Sequence, residues 1–486
     1  MAAAILKPGV NCWRVERAGR IAFLVDGQDY FGAVLAALRA ARRSVLLLGW
    51  GFDPRTRLLP DGFERGDEPD EIGRVLLELA AARPGVDIRV LIWKSALPIE
   101  ASQDFFPHRA RAWFADSEVK FRLDNRIPLA GCHHQKVLVV DDRIAFCGGA
   151  DFGVDRWDTL AHSDADARRI DPSYANHPPR HEVAMLVDGD AARALGALAR
   201  ERWQLASGEA AESAPPDDDG DPWPRGLRPD MTDAPVAIAR TEPAWRGRPP
   251  VQEWKRLTLD AIAAARRTIY LENQYFTSPV FAEALARRLT EPEGPEIVLM
   301  SNAASPSWFD RLSMDRARGV ALARLKSADV YGRFRAFFPE TPQGHPIIVH
   351  AKLCISDDRL ARIGSANLNN RSQGLDTECE LAIEAADPPA AAGIERLRDR
   401  LIGHYLNRSA RDVARSIARH GGLIAGIEAL DRGRRLRPIE PGPLGPFGRL
   451  VSSLHLGDPL CADDAWRPWR RKAMLAAEVR AMAAGG

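Results

Sequence analysis

The chain repeats itself at long range, so any fold it adopts has to accommodate two copies of one unit. ARRSVLLLGWGF (Ala41 to Phe52) returns as ARRTIYLENQYF (Ala265 to Phe276), and HQKVLVVDDRIAFCGGADF (His134 to Phe152) returns as HAKLCISDDRLARIGSANL (His350 to Leu368). The two displacements, 224 and 216 residues, are nearly equal, the mark of an internal duplication. In each copy an apolar-faced helix (DYFGAVLAALRAARR; EWKRLTLDAIAAARR) leads into a buried strand. A further helix and strand (DIRVLIW; PEIVLM) follow, and then the motif strand. Helical and strand periods alternating in this way predict an α/β unit. The expected fold is two fused, duplicated α/β-sandwich halves, their mixed sheets covered by helices, with the active site at the interface of the halves.

The expected boundaries are a first half over 1–207, a Pro/Asp/Gly-rich linker over 208–235, a second half over 236–401 and a helical and irregular tail over 402–486. Asp217, Asp218 and Asp219 in the linker read as solvated charge, not as metal ligands. The tail carries a helical stretch (SARDVARSIARH), a Pro/Gly-rich turn (PIEPGPLGPFG) and a closing segment with Trp466, Arg467, Trp469, Arg470, Arg471 and Lys472. Such a segment either packs on the body or rests on anionic headgroups.

Composition narrows the partners. A formal net charge of +1 on 486 residues gives no long-range attraction to nucleic acid, so no nucleic-acid partner is expected. The start, MAAAILKPGV, is broken by Lys7 and Pro8 and lacks the apolar core of about 7–15 residues of a secretory signal. The expectation is a cytoplasmic, monomeric protein that touches membranes peripherally. No stretch approaches the roughly 20 apolar residues of a transmembrane helix. The six cysteines lack C-x-x-C spacing, which argues for reduced thiols and against a cysteine zinc site.

The chemistry lies in the second repeated block. Residues two apart on a strand share a face, so His134 with Lys136, and His350 with Lys352, each present an imidazole and an ammonium to one ligand. Lysine occurs only eight times in a chain rich in arginine, and both motif positions keep it, as a site that wants a compact point charge would. Asp141 and Asp357 complete the two motifs, and in the DDR turns their expected role is to hold the turn. Two imidazoles and two ammonium groups suit in-line displacement at phosphorus. One histidine attacks, the other protonates the leaving alkoxide and later activates water, and the lysines neutralise the phosphoryl oxygens. No cofactor and no metal is called for. His133, on the other strand face, reads as packing. Trp50, Trp157 and Tyr275 either box a quaternary ammonium group or pack.

These residues resemble the phospholipase D superfamily, whose signature is this His-Lys-Asp motif, over the span from about Cys12 to Leu401. GWGFDPRT, GGADFGVDRWDT, ENQYF and GSANLNNRS are similar to the flanking blocks of true phospholipases D. The resemblance implies His134 as nucleophile, His350 as general acid and base, and Lys136, Lys352, Asn367 and Ser365 as ligands of the phosphoryl oxygens. The family places an Asp behind each histidine; the matching positions here are Glu182 and Glu378. Asp151 stands where the second half has Asn367, so the halves differ in oxygen binding. The implied substrate is a phospholipid at a membrane surface, with water or an alcohol as acceptor. A cardiolipin-synthase-like phosphatidyltransferase and a nuclease using the same site are the alternatives.

Overall fold

The computed structural model describes residues 4–60, 70–95, 107–215, 220–305, 308–440 and 453–484. Asp217 to Asp219 and most of the Pro/Gly-rich turn of the tail lie outside the described residues. The first half contributes β1 (Arg14–Val25), β2 (Ser44–Gly49), β3 (Asp87–Trp93), β4 (Lys120–Asp124), β5 (Val137–Val140), β6 (Ile144–Gly148), β7 (Arg180–His181) and β8 (Val183–Asp188). The second contributes β9 (Met231–Glu242), β10 (Val251–Gln252), β11 (Thr268–Asn273), β12 (Glu296–Met300), β13 (Phe334–Pro339), β14 (Ile348–Val349), β15 (Lys352–Ser356), β16 (Leu360–Gly364) and β17 (Glu378–Glu384), and the tail adds β18 (Leu436–Pro438).

All but β7 and β14 join one sheet. Its order from one edge is β18, β13, β12, β11, β15, β16, β17, β9, then β1, β8, β6, β5, β2, β3, β4. Leaving out β18, the order reads the same from either end once each strand is replaced by its repeat, and the mirror point falls between β9 and β1. These two pair antiparallel from Arg14 opposite Ile238 to Ile21 opposite Met231. Met231 to Pro235, expected as the end of the linker, thus already belong to a strand, because β1 offers them a ladder.

In each half the β2–β3–β4 or β11–β12–β13 strands run parallel, and the motif strand joins antiparallel. The mixed α/β sheet covered by helices is the architecture the repeats predicted. Parallel strands are covered on both faces and read as continuous apolar runs, as SVLLLG does. Side chains alternate accordingly. Val45 and Leu47 face a core of the first half, while Leu46 and Leu48 face the other way. That opposite core is shared: it takes in Val139, Met185, Tyr270 and Leu353 and is roofed by residues of the helices Gly189–Ser207 and Pro388–Leu406. Each fully buried Leu, Ile or Val contributes about 1.5–3 kcal/mol, so a core spanning both halves welds them together.

The tail packs on the body. Ser409 caps the helix Ala410–His420 with a capping box to Asp412. The helix Pro468–Ala484 is anchored by buried Arg471, whose guanidinium reaches Asp464 and the carbonyls of Leu454 and His455, and by an ion pair from Lys255 to Glu478. Trp466 and Trp469 stay exposed. Among the described residues no helix is long and apolar enough to cross a membrane.

Candidate active site

The two histidine motifs meet through a reciprocal exchange between the halves. The segment before β5 lies extended beside Thr377, where the His134 N–H donates to the Thr377 carbonyl at 3.0 Å and the Thr377 N–H to the Cys132 carbonyl. On the other side β14 pairs in parallel with β7, and the His350 N–H donates to the His181 carbonyl at 2.9 Å. Thr377 and His181 each immediately precede a glutamate. Each motif histidine is therefore laid against the glutamate of the opposite half. Glu378 receives His134 Nδ1 at 2.9 Å, and Glu182 receives His350 Nδ1 at 2.6 Å. His134 and Lys136 were expected within the motif strand; they sit just ahead of it, because these backbone groups bond across to the other half and not to a sheet neighbour.

A carboxylate on Nδ1 fixes the tautomer and leaves the Nε2 lone pair free. Burial, together with the charges of Lys136 and Lys352, holds the His134 imidazole well below its ordinary pKa, and thus neutral. Burial with Lys352, Arg156, Arg180 and Lys136 does the same to His350. Burial pushes the Glu378 carboxyl up to about 7, against hydrogen bonds from the hydroxyls of Ser365 and Ser372. Both lysines are buried, and each ammonium is anchored on the carbonyl of its own motif histidine, at 3.1 Å for Lys136 and 2.5 Å for Lys352. Lys136 is paired with Asp151 at 3.1 Å. Among the described residues Lys352 forms no ion pair, and burial brings its pKa down to about 7.

The other expected residues divide. Asp141 and Asp357 do not join the catalytic cluster. Asp141 and Asp142 (φ 56° and 52°) and Asp357 and Asp358 (φ 54° each) form left-handed hairpin turns, which cost on the order of 1–2 kcal/mol per residue. Asp141 offsets this by accepting the N–H groups of Arg42, Arg43 and Ser44, and Asp357 those of Arg266, Arg267 and Thr268. They are turn and strand anchors, as the DDR turns suggested. Ser365, expected on a phosphoryl oxygen, turns its hydroxyl to Glu378 at 2.5 Å, since that carboxylate is the nearest strong acceptor. Asp151 spends one oxygen on the N–H groups of Trp50 and Gly51 and the other on Lys136. Asn367 Oδ1 is buried with no hydrogen-bond partner among the described residues, which leaves it available to a ligand.

His133 is a cross-link and not mere packing: its ring reaches Asp124 at 3.0 Å and the Thr377 hydroxyl at 3.3 Å, and burial lowers its pKa to about 4. Trp157 belongs to the first-half core, Trp50 stacks on Trp93, and Tyr275 donates to Asp310. These contacts build no common box. Residues without a local signal also shape the site. Ser372 donates to Glu378 at 2.7 Å, and Asp458 of the tail accepts from Asn370, Arg371 and Thr277, bracing the loop that carries Asn367. A tail residue 88 positions from its partner gives no pattern to read.

The first half, residues 37–218, matches the family model "Phospholipase D", and residues 258–402 match "Cardiolipin synthase, PLD-like domain". Together they take in more than half of the chain. The chain belongs to the phospholipase D superfamily. Members similar to it include Phospholipase D1 of Saccharomyces cerevisiae, 25% identical over 75% of this chain and 27% of the yeast protein. Cardiolipin synthase A of Pseudomonas putida is 26% identical over 74% of this chain and 64% of that one. The chain thus spans about a quarter of the yeast superfamily member and 32% of Phospholipase D A of Dictyostelium discoideum. The crystal structure of the phosphatidylserine synthase of Haemophilus influenzae Rd KW20 matches at a TM-score of 0.53 and 14% identity, over 85% of this chain and 94% of that chain; that likeness speaks to the superfamily fold alone.

Proposed function

We propose that this superfamily member is a phospholipase D, which hydrolyses the distal phosphodiester of a glycerophospholipid to phosphatidic acid and the headgroup alcohol. The observation that carries it is the crossed pair of His–Glu contacts with two buried lysines between them. His134 Nε2 attacks phosphorus while its Nδ1–H stays on Glu378, and the bond to the headgroup oxygen breaks as His350 delivers a proton to that alkoxide. The incoming phosphodiester anion offsets the lysine charges and lets His350 carry the extra proton, with Glu182 behind it. Water or a second alcohol, deprotonated by His350, then attacks the phosphohistidine and restores His134. Lys136, Lys352 and Asn367 hold the equatorial oxygens as charge builds.

The lipid substrate rests on the names of similar proteins, and transfer to a lipid alcohol is the second reading because the second half matches the cardiolipin synthase model. Purified protein with mixed phospholipid vesicles and ethanol should release phosphatidic acid and phosphatidylethanol, with the phosphatidyl group trapped on His134 after a denaturing quench of one turnover at alkaline pH. Cardiolipin as the main product would favour the transferase. Degradation of DNA with neither lipid product would overturn both.

A further inference from the structure

Next to the backbone of Glu182 a second set of buried groups gathers: Asp26, His162, His181 and His404, with one ligand-type atom from each lying within 4.8 Å of the others. They come from remote parts of the fold. Asp26 opens the helix Asp26–Ala40, His162 lies in the loop before β7, His181 is in β7, and His404 is near the end of the helix Pro388–Leu406 of the second half. The rings pack closely, His181 on His404 at 4.6 Å and His162 against His404 at 5.3 Å between centroids.

The hydrogen bonds fix which lone pairs point inward. His162 Nδ1 faces Asp158 Oδ2 at 2.8 Å, and His404 Nδ1 donates to the Leu401 carbonyl at 2.6 Å. Each ring is thus left with its Nε2, and both Nε2 atoms are buried without a hydrogen-bond partner among the described residues. Asp26 uses Oδ1 to accept from His181 at 2.7 Å and from the Glu182 N–H at 3.1 Å, while its Oδ2 is likewise buried and without a hydrogen bond. His181 has both nitrogens engaged, by Asp26 and by Glu272 at 2.7 Å. Three ligand-type atoms without a hydrogen bond are left in one buried cluster.

A buried acceptor left unpaired is costly, so three within one cluster call for something that binds all three. His162 Nε2 and Asp26 Oδ2 stand 3.4 Å apart without hydrogen-bond geometry. That is close to the ~3.3 Å separating two ligands of a tetrahedral zinc ion with bonds of about 2.0–2.1 Å. Ligating histidines characteristically donate their other nitrogen to a carboxylate or a backbone carbonyl, as His162 and His404 do here. The carboxylates Asp26, Asp158 and Glu272 are met by two cations, the His181 imidazolium held between Asp26 and Glu272 and the guanidinium of Arg169, 3.3 Å from Asp158.

We propose that His162 Nε2, His404 Nε2 and Asp26 Oδ2 bind a divalent transition-metal ion of the zinc class. The ion ties the first half to the helix Pro388–Leu406 and, through the Asp26 contact to the Glu182 backbone, stiffens the carboxylate that orients His350. It is structural: the ligand atoms are buried, and Asp26 touches Glu182 through its backbone N–H. Imidazole and carboxylate ligands suit zinc among the available divalent ions.

The test uses the full chain, produced with zinc in the medium and purified without chelator. Elemental analysis should find one zinc per chain. Cobalt(II) in its place should give visible d–d bands of a tetrahedral site. His404→Phe and Asp26→Asn should each lose the metal and lower Tm, and zinc should raise Tm of metal-free wild type but not of either variant. The cobalt spectrum of wild type stands even if a variant fails to fold. Absence of stoichiometric metal, with no cobalt bands and no effect of zinc on Tm, would overturn the proposal and make the cluster a proton-sharing network of His162 with Asp26 and Asp158.

Discussion

Lys136 and Lys352 occupy matching positions in the two halves, but their surroundings have diverged. Lys136 is paired with Asp151, whereas at the matching position the second half has Asn367, and burial brings the Lys352 pKa down to about 7 despite the charges of Glu182 and Glu378. The glutamates differ in the opposite sense. Glu378, in the second half, is wrapped by the hydroxyls of Ser365 and Ser372. Glu182 meets Gly149 where Ser365 would stand; a Cβ there would come 2.9 Å from Glu182 Oε2, and that oxygen has no hydrogen bond among the described residues. Duplication thus preserved the reacting groups and changed what tunes them. His134 is gripped by a three-way hydrogen-bonded carboxylate, as a nucleophile of fixed aim needs; His350 sits among Arg156 and Arg180 with a barer carboxylate behind it, as a proton carrier can.

The sharpest way to break this division is to remove either histidine. His134→Ala and His350→Ala should each lower kcat by on the order of 10⁴-fold or more, and a rapid-quench experiment should find phosphoenzyme in neither. Trapped label on His350 in the His134→Ala protein would reverse the roles. Next come the crossed carboxylates. Glu378→Gln and Glu182→Gln should cost about 10–100-fold, the first by slowing phosphoenzyme formation and the second by slowing departure of the headgroup alcohol. Equal effects on both steps would mean the halves are interchangeable.

The pH dependence follows from Glu378 and Lys352. Glu378 has to be ionised, so kcat/KM rises with pH through about 7; Lys352 has to be charged, so it falls again as pH climbs past about 7. Asn367→Asp would give Lys352 the kind of partner Lys136 has, and should move the alkaline limb up by about one unit, tenfold in rate on that side, with the acid limb unmoved. A stationary alkaline limb would place the difference between halves elsewhere. The smallest effect is expected from Ser372→Ala. Losing one donor to the carboxylate raises the Glu378 pKa, so the acid limb should shift upward by less than a unit while the rate at high pH stays near wild type.

Much of this was legible in the sequence because duplication writes the same pattern twice. The two α/β units, the motif residues and the turn-holding Asp141 and Asp357 could be read from periodicity and matched blocks, whereas the glutamates at 182 and 378 came from the resemblance to the superfamily. What could not be read is the crossing. Glu378 serves a histidine 244 residues away and Glu182 one 168 away, and a linear repeat suggests no exchange between its copies. The β1–β9 seam was hidden for the same reason, as was Asp458, which reaches the site from a tail with no repeat partner. Ser365 was placed on substrate because it lies in a matched block; only the geometry shows that its hydroxyl is taken by Glu378.

The crossed carboxylates also bear on how the enzyme comes into being. At roughly 5–20 residues per second, a ribosome completes His134 many seconds before it supplies Glu378, and until then that imidazole lacks the partner that sets its tautomer. A growing chain therefore passes through a long disarmed interval, even with the first half already collapsed around its own core. Competence arrives in one step, when the second half docks and both histidines receive their partners together.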